Sequence, residues 1–521
     1  MKFGKRWLYL SHRWLGIVLC LFMAMWFFSG VVMMYVGYPK LTLAERLAHL
    51  PKLDFPATPD GCCISPQRAL VVAREALEQP RSGKAAGMDS PLDIRLTTLG
   101  PDIYWIVSQP KHKPVAINAI TGIAKATFDA NHAMTVAKQF SPASHPTLIE
   151  TLRQDIFTVS RALDPHRPLH RIALNDSAGT ELYVSSRTGE VIRDSDRMER
   201  GWNYFGSILH WLYPLKGEFL DKWRGDVIIY TSLFGTLLSI LGIWVGLLRW
   251  RFKRQYISGS RSPYRAGWMR WHHLAGLIFG AVTVTWVFSG LMSMNPWKIF
   301  SAAGPKPVAS ALAGITLENA QFSLTPQEAL SRATIPVREL SIRLFNGHAY
   351  YVLSASNGRT QVISADNFTH QAPFELFSRD TLTQAAAALI PGYSIQRVTW
   401  LTTYDNYYYA RRPHTMTGHV ERRLPILRVE YNDPNQTWLH IDPYTASVFN
   451  QLDQSRRTSR WLFNFLHSWD LPIFINTRPL WDITLILLSI GGFALCISGT
   501  VIAWRRLRRT KDCQRAAHAV S

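Results

Sequence analysis

The 521-residue chain carries 57 Lys and Arg against 36 Asp and Glu, a net charge of +21, and only five cysteines. Sixteen of those surplus charges fall in three short segments: residues 1–13, residues 249–270 and the tail from Arg505. Such clustering argues against a nucleic-acid partner, and five scattered cysteines give no disulfide framework.

In chain order, the three basic segments flank apolar stretches. Trp14 to Val36, Val227 to Leu248, Leu274 to Met294 and Ile483 to Ala503 contain no Lys, Arg, Asp or Glu. Each matches a hydrocarbon core roughly 30 Å thick, which takes about 20 helical residues. The first is too long for the apolar part of a signal peptide, and no small-x-small cleavage site follows it. Basic residues favour the cytoplasmic face. The expected order is therefore a cytoplasmic N-terminus (1–13), a first span (14–36), an external α+β segment (37–226) and a second span (227–248). A basic cytoplasmic loop (249–270), a third span (271–294), a second external segment (295–482), a fourth span (483–504) and a cytoplasmic tail (505–521) complete it.

The two halves match residue by residue. His12, Gly16, Trp26, Phe28, Ser29 and Gly30 recur 260 residues later as His272, Gly276, Trp286, Phe288, Ser289 and Gly290. Further on the offset is 257, carrying Pro168 to Pro425, His210 to His467, Gly235 to Gly492 and Gly242 to Gly499. The pattern implies a duplicated unit whose copies run in the same direction through the membrane.

Each external segment opens with a helix signal, Ser65-Pro66 and Thr325-Pro326, a hydroxyl cap followed by proline in the first turn. Strand-like runs follow at Tyr104–Val107, Leu182–Val184, Tyr350–Leu353 and Leu439–Ile441. Thr121-Gly122, Thr188-Gly189, Asn346-Gly347, Asn357-Gly358 and Asp442-Pro443 punctuate them. Cys62 and Cys63 are adjacent in the first segment, where a bridge between them is geometrically awkward. The sequence has no CxxCH, GxGxxG, Walker or HExxH motif. Any electron donor on the cytoplasmic side would be a separate molecule.

The chain resembles the PepSY-associated transmembrane family. The resemblance lies in His12-Arg13-Trp14-Leu15-Gly16 with Ser29-Gly30, in Leu209-His210, and in the Thr-Gly hairpins. Asp405-Asn406-Tyr407-Tyr408-Tyr409 followed by Leu424-Pro425 adds to it. It implies a multi-pass protein of the bacterial inner membrane. The fold class would be membrane α-helical plus α+β: four transmembrane helices in two parallel repeats, each carrying a PepSY-like periplasmic domain. Some members of the family are haem-b ferrisiderophore reductases.

Four histidines flank the expected spans. His12 and His272 precede the first and third, and His210 and His467 precede the second and fourth at the other face. A span separates His12 from His210, so one haem cannot bind both. Two haems b are the expected cofactors, one held by His12 and His272, the other by His210 and His467, with imidazoles as axial ligands. His273 stands beside His272 and is its substitute if the helix is rotated. The alternative is that the histidines are interfacial anchors and the protein is a non-redox membrane protein that binds a partner or ligand. The repeated glycines fit a flat macrocycle or ordinary small-residue helix packing. Asp226 and Asp482 are expected as helix caps. His166 and His170, four apart, are set aside because Pro165 and Pro168 make a shared helix doubtful.

Tyr404, Tyr407, Tyr408, Tyr409, Arg411 and Arg412 form an aromatic and basic cluster that residues 147–155 of the first half lack. Such a cluster suits an anionic or chelated ligand, or else packs between the external domains. The expected function is electron transfer across the bilayer to a ferric siderophore, with a quinol or cytoplasmic reductase as donor and no nucleic acid.

Overall fold

The apolar stretches fold as four long helices in a computed structural model of the protein, which describes residues 2–55, 63–77, 92–110, 112–216, 220–366, 372–415 and 418–518. They run Lys2–Met33, Asp221–Arg249, Trp268–Ser293 and Leu480–His518. All four are long and apolar enough to cross a membrane. In lipid a helix is the natural outcome for such a run, because every peptide group then finds its partner within the segment. The helices reach past the apolar stretches into their basic flanks.

Asp482 lies in the first turn of its helix, as expected for an acid at a helix N-terminus, but neither it nor Asp226 is the cap residue itself. The second long helix begins at Asp221 with Leu220 at the cap position, which leaves Asp226 in the second turn. Asp482 instead accepts from Arg478 Nε at 2.6 Å and from the Tyr35 hydroxyl at 3.1 Å. It ties the fourth helix to the end of the first.

The helices form a ring. The first packs on the second and fourth, and the third packs on the same two. Leu19, Cys20, Met23, Ala24, Phe27, Leu238, Val287 and Cys496 fill its centre. Phe27 lies against Gly492, where any Cβ would collide with its ring.

Outside the ring are three antiparallel sheets. The largest has seven strands in the order Thr360–Ser364, His348–Ala355, Val337–Phe345, Asp93–Leu99, Asp102–Ser108, Val115–Asn118 and Ala124–Lys125. Its middle joins the two halves of the chain, with Arg95 opposite Ser341, Leu96 opposite Leu340 and Thr97 opposite Glu339. Residues from both halves, among them Leu96, Trp105, Leu340 and Tyr351, bury one core beneath it. Helices Pro66–Leu77 and Pro326–Arg332 start at the expected hydroxyl-proline signals, and Thr325 and Glu328 form a reciprocal capping box. Each half adds a four-stranded meander: Thr147–Leu152, Leu169–Ala173, Glu181–Ser185 and Val191–Ser195 in the first, Ile395–Leu401, Ile426–Tyr431, Trp438–Asp442 and Ser447–Leu452 in the second.

A buried ion cluster pins this junction. Arg95 Nη2 donates to Glu190 at 2.8 Å and Nη1 to Glu339 at 3.1 Å, while Arg46 forks onto Glu339 at 2.7 and 2.8 Å. Burial opposes ionisation of Glu190, but the Arg95 guanidinium prevails and holds its carboxyl down to about 2.

Two matching connectors lead from the meanders to the helix ring. Helix Arg197–Asn203 is capped by Asp196, which accepts from Glu199 N; helix Gln454–Ser459 is capped by Asp453, which accepts from Arg456 N. Each then widens into a π-helical turn, Tyr204–Ile208 and Arg460–Phe465. Such turns place an extra residue per turn and redirect the chain beyond them. Immediately beyond lie His210 in one half and His467 in the other.

Candidate functional site

His12 and His272 are one turn or more inside the first and third long helices and face each other with ring centroids 6.3 Å apart. His210 and His467, at the connector ends, face each other at 6.1 Å. Along the first helix, 17 residues separate His12 from Ser29, which contacts His210, so about 25 Å of helix divides the two pairs.

Hydrogen bonding engages Nδ1 of each ring. His12 Nδ1 lies 3.3 Å from the carbonyl oxygen of Leu238, which can only accept. His272 Nδ1 lies 3.2 Å from the carbonyl of Leu495, the residue matching Leu238, and 3.0 Å from Ser498 Oγ. His210 Nδ1 is 3.0 Å from Ser29 Oγ, whose single proton goes to the Met25 carbonyl at 2.7 Å. His467 Nδ1 is 3.0 Å from Ser289 Oγ, whose proton goes to the Trp286 carbonyl at 2.9 Å. A hydroxyl that spends its proton on a helix carbonyl must accept from the ring. The carbonyls beside His12 and His272 take hydrogen from Nδ1, and the serine arrangement favours the same tautomer at His210 and His467, which presents the lone pair of Nε2. Metal-ligating histidines are oriented in this way, by donating the other ring N–H to a carbonyl or similar acceptor. Burial, aided by the neighbouring His467, lowers His210 to about 3, and burial lowers His467 to about 4, so both rings are neutral at pH 7.

A repeated glycine abuts every ring. A Cβ on Gly242 would stand 2.8 Å from His12 Cε1, and one on Gly499 3.3 Å from His272 Cε1. At Gly30 and Gly290 the same contacts, to His210 and His467, are 3.7 and 3.9 Å. The tightest of these contacts is at Gly242; at Gly499 Cys20 Sγ, 2.7 Å away, is nearer than the ring.

Two opposed imidazoles on one metal, each bonded at about 2 Å through Nε2, put their ring centres roughly 6 Å apart. Both observed separations fit that span. The donor set fits as well. Paired imidazoles are donors of the kind that would hold a haem iron.

His273 does not share this arrangement. Its Nδ1 meets Ser262 Oγ at 2.8 Å and its Nε2 the Gly246 carbonyl at 2.9 Å, so both nitrogens are engaged in fastening the 250–264 loop to the second long helix. Sequence adjacency to His272 made it a candidate, and helix rotation separates the two by about 100°.

The aromatic cluster of the second half is largely turned inward. Tyr408 is buried with its hydroxyl on the Arg423 carbonyl, and Tyr409 is buried with its hydroxyl on Asp470. Tyr407 accepts from Trp461 Nε1 at 3.0 Å, and Tyr404 donates to the Arg422 carbonyl at 2.8 Å from a more exposed place. Arg411 lies 3.9 Å from Asp470, and Arg412 is exposed. Fully buried Asp470 also takes Arg460 Nη1 at 2.8 Å, so the cluster braces the connector that carries His467. Arg460 and Asp470 escaped notice in the sequence because the first half has Asn203 and Tyr213 there. His166 and His170 fall on a 3₁₀ turn and a strand, bonded to Ser185 and to Thr151 and Phe128, and do not converge. Cys20 and Cys496 are buried free thiols, and Cys62 lies outside the described residues.

No curated protein matches the chain. The profile of the PepSY-associated TM region matches residues 9–333, well over half of it, and takes in His12, His210 and His272. The chain belongs to the PepSY-associated transmembrane family, and with four apolar helices it is a multi-pass membrane protein.

Proposed function

We propose that this protein is a di-haem b oxidoreductase of the bacterial inner membrane that carries electrons across the bilayer to a periplasmic ferric siderophore or similar chelate. The observation that carries the reading is the pairing: four imidazoles in two facing pairs, each with Nδ1 against a carbonyl or serine oxygen. Interfacial anchors need no common tautomer and no partner ring. Haem b, when bound, supplies a one-electron carrier at each pair. The chain's own part is to hold the rings with the Leu238 and Leu495 carbonyls and with Ser29 and Ser289, and to exclude water between the pairs with Met23, Phe27, Leu238 and Val287.

The basic segments argue for the sidedness. Residues 1–13, the 249–270 loop and the tail would lie in the cytoplasm, the sheets in the periplasm. The His12–His272 pair would then face a quinol or a cytoplasmic reductase, and the His210–His467 pair would lie beneath the sheets. The matching contacts in the two halves support two parallel copies of one unit.

Pyridine haemochrome analysis of the purified protein is expected to give two haems b per chain. His467→Ala should remove one and leave the other, and so should His12→Ala; the double variant should lose both. Purified protein without haem b would remove this function and leave anchoring imidazoles in its place.

A further inference from the structure

The first half holds open a place that the second half fills. Lys113, Arg153, Arg167, Pro168 and Arg187 line a cavity of about 300 Å³, and none of these residues is acidic. At the positions matching Arg167, Pro168 and Arg187 the second half has Leu424, Pro425 and Tyr444, and the strand registers match Arg153 to Thr402. There the Tyr444 hydroxyl donates to the Leu424 carbonyl at 2.8 Å, and Arg423 lies over the tyrosine ring at 4.1 Å. Protein closes in one half what four cationic side chains line in the other.

The cavity is braced. Arg167 Nε donates to Asp164 at 2.9 Å, and its Nη atoms hold the carbonyls of Arg153 and Thr158. Arg187 donates through Nη1 to the Ala126 carbonyl at 3.4 Å, while its Nε is buried without a hydrogen-bond partner. The cavity also touches the electron-transfer side of the molecule through one backbone segment. Beside Thr158, Val159 N donates to the Tyr38 hydroxyl at 3.2 Å and its carbonyl accepts from Lys216 Nζ. The Tyr38 ring packs 6.2 Å from Trp211, the neighbour of His210.

We propose that this cavity seats the ferric complex, and that the complex is a carboxylate-rich chelate of net negative charge. The inference rests on the reductase reading above and gives its substrate a class. Guanidinium groups take carboxylate oxygens two at a time. A volume of this size is at the lower end for small-ligand sites, roughly 300 Å³ and upward. It suits a compact polycarboxylate complex better than a bulky macrocyclic one.

The test is calorimetric titration of the full-length protein in detergent with gallium(III) citrate, a redox-inert stand-in for the ferric chelate. Inorganic phosphate and a carboxylate-free gallium hydroxamate serve as comparisons. Gallium citrate is expected to bind most tightly, and more weakly as salt rises. Arg153→Gln and Arg187→Gln are each expected to weaken it about tenfold, with haem content unchanged. Arg153 is exposed, so its variant folds whatever Arg187→Gln does. Equal affinity in Arg153→Gln and the parent protein, or tighter binding of phosphate or the hydroxamate, overturns the proposal. Citrate binding to a protein that carries no haem keeps the cavity assignment and removes the reductase. Haem-loaded protein that ignores gallium citrate does the reverse.

Discussion

His12 and His272 sit on the long helices themselves, whereas His210 and His467 hang from connectors that descend from the sheets. Helix carbonyls of Leu238 and Leu495 anchor the first pair, and the hydroxyls of Ser29 and Ser289 anchor the second. The rings of the first pair are tilted by 38°, those of the second by 75°. The contrast is one of dependence. The helix pair needs only the ring of helices, which folds on its own apolar pattern. The connector pair needs the sheets as well, because the π-helical turns that aim it start from caps at the ends of the meanders. Events in the sheets, including binding there, reach the connector pair directly and the helix pair only through the first helix, whose Trp26 and Ser29 touch His210.

The largest break in this comparison should come from the buried ion cluster. Arg95→Ala leaves Glu190 and Glu339 buried with one cation removed, a loss on the order of 3–5 kcal/mol. On heating, the spectral signature of the His210–His467 site should then disappear at a lower temperature than that of the His12–His272 site. Simultaneous loss of both signals would show that the sheets and the helix ring unfold together and that the dependence is not one-sided.

Glycine contacts reverse the asymmetry. Gly242→Ala puts a methyl 2.8 Å from His12 Cε1, well inside contact distance, and overpacking of this kind costs about 1–3 kcal/mol. The helix-pair signal should weaken or shift while the connector-pair signal stays. Gly30→Ala, whose Cβ would rest in ordinary contact 3.7 Å from His210 Cε1, should change neither. Smaller again is Ser29→Ala, which strips the acceptor from the His210 Nδ1–H. Loss of such an outer-shell partner typically lowers metal affinity by about 10–100-fold. The expected readout is faster haem loss from the connector site alone, restored by Ser29→Thr. An unchanged rate would mean that another acceptor, such as the Trp26 carbonyl, suffices.

Much of this architecture was legible in the sequence because the bilayer imposes a simple rule. Long uncharged runs must become helices, and the surplus of basic residues marks their ends. Histidine positions were legible for a related reason: the matching of His12 with His272 and His210 with His467 survives where most neighbours differ. Ser29 and Ser289 stood in the same matched set, yet their task needs the π-helical turn, which has no sequence signature. The shared sheet was invisible for a different reason. Pairing of Leu96 with Leu340 is a contact between segments 244 residues apart, and nothing in either strand's alternation names its partner. The Tyr404–Arg412 cluster stayed ambiguous because aromatic and basic residues look alike in a binding site and in a brace; burial of Tyr408, Tyr409 and Asp470 favours the brace for its inner members.

The smallest effect separates the two connectors by pH. Burial, reinforced by the Asp194 carboxylate, raises Glu199 from 4.5 to about 8, and burial raises Asp194 from 3.8 to about 6. A folded state that keeps protons the unfolded chain has released loses stability as pH rises. The connector to His210 should therefore weaken from about pH 4.5 to about 8. Glu190 works the other way: its carboxyl is held at about 2 against 4.5, so its bond to Arg95 contributes fully above pH 4.5 and fades below. The second connector has Gln451 and Arg456 where the first has Asp194 and Glu199, and carries no such alkaline arm. Hydrogen exchange, corrected for its intrinsic pH dependence, should show residues 191–203 opening more readily at pH 8 than at pH 5, with residues 448–460 unchanged. Glu199→Gln keeps the neutral form at every pH and should flatten most of the difference. A first connector indifferent to pH would mean that solvent reaches Glu199 and that its burial does not govern the His210 support.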